Sequence, residues 1–162
     1  MSRLDSVIRR LEAQRACLNL AAALVHDLAG EVLELGLGNG RTYDHLRALF
    51  PDRAIYVCER RVAAHPACIP PPERLILGDM RESLREAKGR FEARIVLAHL
   101  DAGDGNEGRN RSLAKALAPL LAPLLLVGGL LVSDPAIEEA FLQPLPLPPA
   151  VPPGRYHLYR RI

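Results

Sequence analysis

The sequence is poor in the features that would tie a protein to a membrane or to nucleic acid. Tryptophan is absent, aromatic residues make up 4% of the chain, and the formal net charge is only +2. So weak a charge gives no case for a nucleic-acid partner or a membrane partner. The most apolar run, residues 116–132, falls short of a comfortable membrane span, and prolines and glycines interrupt it.

Cysteine is also scarce, and its spacing argues against the usual metal and disulfide frameworks. Cys17, Cys58 and Cys68 form no CxxC pair. We therefore expect neither a disulfide network nor a zinc site, and we predict no metal ligands. Charged residues such as Arg3 and Asp5 interrupt the start of the chain, so we expect no secretory signal. Together these features favour a cytoplasmic protein.

The chain is long and apolar enough to form a globular core. Its 162 residues are 49% hydrophobic, and a chain of this length buries roughly 68–70% of its unfolded surface. We expect a single domain over residues 1–162, with a core over 31–133 and a C-terminal strand and proline-rich tail over 134–162. Within residues 1–30, apolar side chains at helical spacing predict an added N-terminal helix over 4–28.

Residues 31–40 have the pattern of a buried strand, a tight turn and the start of a helix. An apolar segment ending in Leu35 runs into Gly36, Gly38 and Gly40, and a polar amphipathic run follows. Glycine is needed where the backbone takes positive φ or where a ligand must approach closely. The free N–H groups at the start of the next helix point toward the same turn. The stretch therefore predicts a small-ligand site.

Strands alternate with helices along the rest of the chain, which predicts an α/β fold with a doubly wound, mostly parallel sheet. Further strands are predicted at residues 54–58, 74–77, 93–98, 130–132 and 156–161. Helices are predicted at residues 41–50, 80–88, 109–121 and 135–141, with at most a short helix in 60–72. We interpret Gly128-Gly129 as the turn into the fifth strand. In such sheets, ligands bind outside the carboxyl ends of the strands.

Carboxylates lie at or near the ends of four successive predicted strands: Glu34, Glu59, Asp79 and Asp101. Any one of them could be polar simply because strand ends reach solvent, but four beside a glycine turn favour a ligand site. Glu59, one strand after the turn, is placed to accept two hydrogen bonds from a ribose diol. The turn reads GLGNG rather than GxGxxG. Glu34 would repel a pyrophosphate but would suit a ligand with a positive centre.

The segment from Glu34 to Gly40 resembles the first motif of class I S-adenosylmethionine-dependent methyltransferases. Glu59 matches that family's ribose-binding acid, and Leu77-Gly78-Asp79-Met80 is similar to its adenine-binding segment. Residues 127–132 resemble the turn into the family's fifth strand. These landmarks stand in the family's order and cover residues 31–133. The chain as a whole is similar to a small bacterial branch of the family that has no assigned substrate.

The resemblance implies a Rossmann-like methyltransferase fold, S-adenosyl-L-methionine as the cofactor, and a small-molecule substrate. The glycine turn would hold the methionine part of the cofactor, with Glu34 acting directly or through water. Glu59 would bind the ribose hydroxyls, and Asp79 with Met80 would hold the adenine. The residues that the resemblance assigns to the cofactor are Glu34, Leu35, Gly36, Gly38, Asn39, Gly40, Glu59, Arg60, Gly78, Asp79, Met80 and His99.

His99 and Asp101, at the end of the fourth predicted strand, are the candidate catalytic residues. His99 could take a proton from a hydroxyl or an amine, and Asp101 could orient it or bind a cationic substrate. The alternative is that His99 only lines the cofactor pocket and Asp101 only caps the loop. No Asn-Pro-Pro-Tyr run follows this strand, and no substrate-binding domain is inserted. We therefore expect a small acceptor.

Two other functions fit parts of this pattern. A protein that binds the cofactor without catalysis would share the same turn, and no residue is clearly catalytic. A nicotinamide-dependent oxidoreductase would share the fold, but the glycine spacing and Glu34 argue against it. Tyr43, His65 and Tyr156 are candidate liners of the site, although a structural role explains each of them better. The apolar N-terminal helix and the tail are compatible with a homo-oligomer, and equally with burial against the chain's own sheet.

Overall fold

A seven-stranded sheet forms the centre of the molecule in the computed structural model, which describes residues 2–162. The strands are β1 (Glu31–Leu35), β2 (Ile55–Glu59), β3 (Leu75–Leu77), β4 (Ile95–Leu100), β5 (Leu125–Ser133), β6 (Leu142–Pro144) and β7 (His157–Arg161). Their order in the sheet is β3-β2-β1-β4-β5-β7-β6. Strands β1 to β5 are parallel, and β7 pairs antiparallel with both β5 and β6. The predicted doubly wound, mostly parallel sheet is confirmed.

Four helices cover the two faces of this sheet. They are α1 (Arg3–Leu24), α2 (Arg41–Leu49), α3 (Met80–Phe91) and α4 (Glu107–Leu121). Helices α1 and α2 bury one face, to which Val32 belongs, and α3 and α4 bury the other, to which Leu33 belongs. Because both faces are covered, the central strands are almost wholly apolar. Among residues 2–162, no helix has both the length and the apolar character that a membrane crossing requires.

Helix α1 runs antiparallel to the parallel strands, so its first turns lie at the carboxyl edge of the sheet. A capping box between Ser2 and Asp5 begins the helix. On the fourth turn, Gln14 Nε2 donates to Asp101, just after β4, at 2.7 Å. Beyond the other end of the helix, Arg53 donates to the carbonyl of His26 at 2.8 Å, just before β2 begins. Near its middle, helix α1 therefore passes Asp101, beside the glycine turn that follows β1.

The predicted helix over residues 135–141 is wrong. This segment is irregular, and its backbone is held by β7: the N–H of Ile137 donates to the hydroxyl of Tyr159 at 2.9 Å. Strand β6 then begins at Leu142 and pairs with β7. Pairing with a strand distant in sequence therefore overrides a local pattern that favours a helix.

The Gly128-Gly129 pair is also placed differently from the prediction, because it lies inside β5 rather than before it. Gly128 has φ +88°, and a Cβ on Gly129 would lie 2.8 Å from the carbonyl oxygen of Leu126. The neighbouring strand β4 shifts its register between Ile95 and Leu97 at the same level. The glycines therefore allow two irregular strands to stay paired.

Two helix ends differ as well. The N-terminal helix ends at Leu24 rather than at residue 28, and α3 continues through Gly89 to Phe91. Between β2 and β3, the region predicted to hold at most a short helix contains two 3₁₀ turns, Pro66–Cys68 and Pro72–Arg74. None of these differences moves a strand end away from the carboxyl edge of the sheet.

Candidate functional site

The glycine turn after β1 packs directly against the segment that follows β4. Gly36, Gly38 and Gly40 all have positive φ, at +98°, +52° and +86°. A Cβ on Gly36 would lie 2.7 Å from the carbonyl oxygen of Asp101 and 2.9 Å from the Cα of Ala102, so only glycine fits there. A Cβ on Gly38 would meet no atom within 4 Å. The turn is therefore tight on one side and open to a ligand on the other.

Glu59, at the end of β2, holds this turn through its carboxylate. Its Oε2 accepts the N–H groups of Leu37 at 2.7 Å and Gly38 at 3.3 Å. Its Oε1 accepts those of Arg60 at 2.6 Å and Arg61 at 3.1 Å. Burial raises the pKa of Glu59, but the four backbone donors outweigh burial and lower that pKa below its ordinary value. The carboxylate is ionised at neutral pH, and a ligand hydroxyl would share or replace some of these bonds.

The other residues predicted to bind the cofactor lie along the same edge. Gly78 links β2 and β3, because its N–H donates to the Glu59 carbonyl at 3.1 Å. Asp79 is exposed and caps α3, where its Oδ1 accepts the N–H of Arg81 at 2.9 Å. Met80 is the first residue of α3 and is partly exposed. Asn39 faces the start of α2, where its Oδ1 accepts a backbone N–H, and Leu35 is fully buried under the turn.

Glu34 and His99 form a buried pair beneath the turn. They are direct neighbours in the register of β1 and β4, and Oε2 of Glu34 lies 2.8 Å from Nδ1 of His99. On the other side of the ring, Nε2 of His99 lies 2.6 Å from the hydroxyl of Tyr156. Glu34 is 1% exposed and His99 is 0% exposed. Direct contact of a ring nitrogen of His99 with cofactor or substrate would therefore require one of these bonds to break.

Burial and mutual attraction oppose each other at both members of this pair, and the net result is a raised pKa for each. Burial raises the pKa of Glu34, and the His99 imidazole only partly opposes that rise. Burial lowers the pKa of His99, but the Glu34 carboxylate, together with Asp101 and Asp134, outweighs burial and raises that pKa above its ordinary value. The folded protein therefore holds protons at this pair more tightly than the unfolded chain does.

We expect the free energy of unfolding to fall as the pH rises from 6.5, the ordinary pKa of histidine. A raised pKa in the folded state gives stability below the unfolded pKa, and this stability is lost as the pH rises through the folded pKa. Glu34 acts with the same sign. His45 and His157 have lowered pKa values and act with the opposite sign near pH 6.5, but from about one pH unit higher they are neutral in both states and add no slope. Urea unfolding across this range tests the expectation, and the slope should flatten in His99→Asn. A flat wild-type profile would contradict it.

Asp101 lies just after β4, and its carboxylate contacts helix α1 and is partly exposed at the carboxyl edge of the sheet. Its Oδ2 accepts Gln14 Nε2 at 2.7 Å and the guanidinium of Arg10 at 3.1 Å. Within residues 2–162, Oδ1 receives no hydrogen bond. The side chain is 22% exposed. At the end of β5, burial and the nearby Asp101 charge raise the pKa of the half-buried Asp134. Asp101 is thus the candidate catalytic residue with a free oxygen at the edge.

Two residues of this site, Arg10 and Gln14, were not predicted from the sequence. Gln14 carried a usable signal, because it stands three residues after Leu11 and four before Leu18, on the apolar face of α1. A buried polar side chain on such a face needs hydrogen-bond partners. Arg10 gave no such signal. Tyr156, considered as a possible liner, is fully buried and contacts His99 rather than an open pocket.

A cavity of about 10 Å³ lies between the ends of β4 and β5 and helix α4, lined by Asp101, Asn110, Leu113 and Asp134 among others. Its volume is close to that of a single water molecule. Across residues 2–162, no group of three or more His, Cys, Asp or Glu side chains is arranged to hold a metal ion.

Comparison with known proteins gives a consistent result. The family model described as S-adenosyl-L-methionine methyltransferase matches residues 1–161. The structure of an S-adenosyl-L-methionine methyl transferase from Silicibacter pomeroyi DSS-3 is 49% identical, covers 100% of this chain and 99% of that one, and superposes with a TM-score of 0.96. No curated protein matches the chain.

More distant structures share the fold alone. Human methyltransferase-like protein 13, in complex with SAH, is 15% identical over 93% of this chain and 81% of that one, with a TM-score of 0.60. SAH-bound methyltransferase PaMTH1 from Podospora anserina is 14% identical over 100% of this chain and 80% of that one, with a TM-score of 0.53. SAH, S-adenosylhomocysteine, is the cofactor product of methyl transfer.

Proposed function

Because the chain belongs to the S-adenosyl-L-methionine methyltransferase family, we propose that it methylates a small-molecule acceptor that binds beside Asp101. Its cofactor is S-adenosyl-L-methionine. The observation that carries the proposal is the free Oδ1 of the Asp101 carboxylate. The backbone of the same residue packs against the glycine turn at Gly36. This is the point at which an acceptor and the methionine end of the cofactor would meet.

The residues at this edge fit the cofactor, and we assign them to it as part of the proposal. The open side of the turn at Gly38 would admit the methionine part, because no protein atom stands there. The ionised Glu59 would accept hydrogen bonds from the ribose hydroxyls. The exposed Asp79 and the partly exposed Met80 would hold the adenine. Glu34 is buried under the turn and would act on the methionine part only indirectly.

The cofactor supplies an activated methyl group on a positively charged sulfur, so the protein has little covalent chemistry of its own to perform. The work left to the chain is to orient the acceptor and to exclude water. Asp101 would accept a hydrogen bond from the acceptor's O–H or N–H group and take its proton where that group is protonated. Both ring nitrogens of His99 are engaged by Glu34 and Tyr156, so we assign His99 no contact with the acceptor.

The space near Asp101 favours a small acceptor group. The cavity between β4, β5 and α4 offers only about 10 Å³. The carboxylates of Asp101 and Asp134 share this lining with the apolar side chains of Leu113 and Pro135. A small polar group such as an amine or a hydroxyl suits that space, whereas a bulky group does not.

S-Adenosylhomocysteine is expected to raise the melting temperature of the purified protein, and NAD is not. A ligand present at a hundred times its Kd stabilises the native state by about 2.7 kcal/mol. For a domain of this size, that corresponds to a shift of about 5–10 °C. Thermal shift measurements with both ligands at matched concentrations test this. Stabilisation by NAD alone would instead favour an oxidoreductase.

Methyl transfer to a small acceptor is tested by measuring S-adenosylhomocysteine release. Purified protein and S-adenosyl-L-methionine would be incubated with panels of small amines, phenols, carboxylic acids and thiols, each at several pH values. We expect release to depend on one chemical class and to require the protein. A folded protein that binds S-adenosylhomocysteine but methylates only macromolecules from a cell extract would overturn the small-acceptor proposal.

A further inference from the structure

The buried Glu34–His99 pair has no task in the proposed reaction, yet it is connected to Asp101. Placing titratable side chains in the interior is costly unless they are hydrogen-bonded. Glu34, His99 and Tyr156 are each 0–1% exposed, and Gln14 is 5% exposed. Among these four residues, Gln14 alone bonds to a partly exposed side chain, that of Asp101. The interior network therefore ends at the residue to which we assign the acceptor.

The direction of each hydrogen bond follows from counting donors. The Nε2 amide of Gln14 has two N–H groups, and it lies 2.7 Å from Oδ2 of Asp101 and 3.1 Å from the hydroxyl of Tyr156. Both contacts are donated by Gln14, because an amide nitrogen accepts no hydrogen bond. When His99 is neutral, the Tyr156 oxygen thus accepts from Gln14 and donates its own hydrogen to Nε2 of His99, 2.6 Å away.

This arrangement also fixes the other side of the imidazole. With Nε2 of His99 accepting from Tyr156, the hydrogen of the neutral ring lies on Nδ1 and is donated to Glu34, at 2.8 Å. The bonds therefore run in one direction, from Gln14 through Tyr156 and His99 to Glu34, and separately from Gln14 to Asp101. We call this set the Gln14–Glu34 network.

Gln14 rather than Arg10 is the firmer of the two contacts to Asp101. The Arg10 side chain is 37% exposed, and exposed ion pairs contribute little because solvent screens them. Gln14 is buried, its bond to Asp101 is shorter, and its second N–H is held by Tyr156. With Oδ2 held in this way, Oδ1 of Asp101 stays free for the acceptor.

We propose that Gln14 and Tyr156 are positioning residues for methyl transfer, which fix the Asp101 carboxylate through the Gln14–Glu34 network. This inference rests on the proposed role of Asp101. In this arrangement Tyr156 orients the Gln14 amide. The oriented amide holds one oxygen of Asp101, so that the other oxygen faces the acceptor. Preorganised groups of this kind assist a reaction because they need no rearrangement when it occurs.

Tyr156→Phe and Gln14→Met test the inference, with Tyr159→Phe as the matched control. Tyr159 lies on β7, three residues after Tyr156, and is 5% exposed, but its hydroxyl accepts the N–H of Ile137 on the opposite face of the sheet. We expect the two test variants to lower kcat at least about tenfold, the value of a hydrogen bond to a charged group, with S-adenosylhomocysteine affinity within about twofold of wild type. Tyr159→Phe should keep the wild-type kcat even where it lowers the melting temperature.

Two readouts do not depend on the acceptor. Crystal structures with S-adenosylhomocysteine should show Asp101 in one conformer in wild type and in Tyr159→Phe, and turned or in several conformers in Tyr156→Phe and Gln14→Met. At a pH where His99 is neutral, its ring ¹⁵N shifts should report hydrogen on Nδ1 alone in wild type and change in Tyr156→Phe. Should Tyr156→Phe fail to fold, Gln14→Met on α1 provides the same comparison.

The outcomes separate this inference from the proposed function. An unchanged Asp101 conformer and an unchanged kcat in both test variants, with Asp101→Asn inactive, would overturn the positioning role alone. Full turnover by Asp101→Asn would overturn the role of Asp101, and the inference with it. Retained S-adenosylhomocysteine binding with lowered kcat and a displaced Asp101 supports the inference, because a general loss of structure would impair binding as well.

Discussion

Replacing Glu59 with alanine is expected to weaken the binding of S-adenosylhomocysteine about ten- to a hundredfold. The carboxylate is the proposed acceptor for the ribose hydroxyls, and hydrogen bonds to a charged group contribute about 1.5–3 kcal/mol. The same side chain holds the glycine turn, through the N–H groups of Leu37 and Gly38. The variant therefore loses both a ligand contact and part of the order of the turn.

Isothermal titration calorimetry of S-adenosylhomocysteine measures this effect, with Glu73→Ala as the control. Glu73 lies in the 3₁₀ turn before β3 and is exposed, so its loss removes a similar charge without touching the turn at Gly38. We expect Glu73→Ala to bind like wild type. Equal affinities for Glu59→Ala and wild type would remove Glu59 from the site, and a matching loss in Glu73→Ala would point to a general effect of charge.

The central sheet could be predicted from the sequence because its signals are local. An apolar run, a glycine turn and an amphipathic run follow one another within residues 31–49, and each reports on its own neighbours in the chain. The same pattern placed the strand ends Glu59 and Asp101 at one edge. The helix predicted over residues 135–141 was wrong for the converse reason. Ile137 is held by Tyr159, a residue of β7 that no local sequence pattern connects to it.

The side-chain pairings at the site could not be predicted, because they depend on strand register and helix packing. Glu34 and His99 were both candidate site residues, but their contact follows from the alignment of β1 with β4. A shift of register by one residue would place them on different faces. Gln14 reaches Asp101 only because the middle of α1 packs beside the carboxyl edge of the sheet. Sequence patterns thus located the edge, and the structure shows that Glu34 is buried against His99 beneath the turn.

Asp101→Asn is expected to reduce methyl transfer about a hundredfold or more while leaving S-adenosylhomocysteine affinity within about twofold. The amide can occupy the same volume and still offer an oxygen to Gln14. It cannot take a proton from the acceptor, and it carries no charge to attract a cationic group. General base groups contribute roughly 10²–10⁴ to rates, and the larger loss is expected for acceptors that are protonated at the working pH.

Asp104→Asn is the matched control for this variant. Asp104 lies three residues further along the same segment, is exposed, and pairs with Arg109 at 2.8 Å. We expect it to keep wild-type turnover. Initial rates of S-adenosylhomocysteine formation with the acceptor found by screening compare the three proteins, and calorimetry reports cofactor-product binding for each. A rate for Asp101→Asn equal to that of Asp104→Asn would show that the acceptor needs no carboxylate at the end of β4, because proximity to the activated methyl group would then suffice for the reaction.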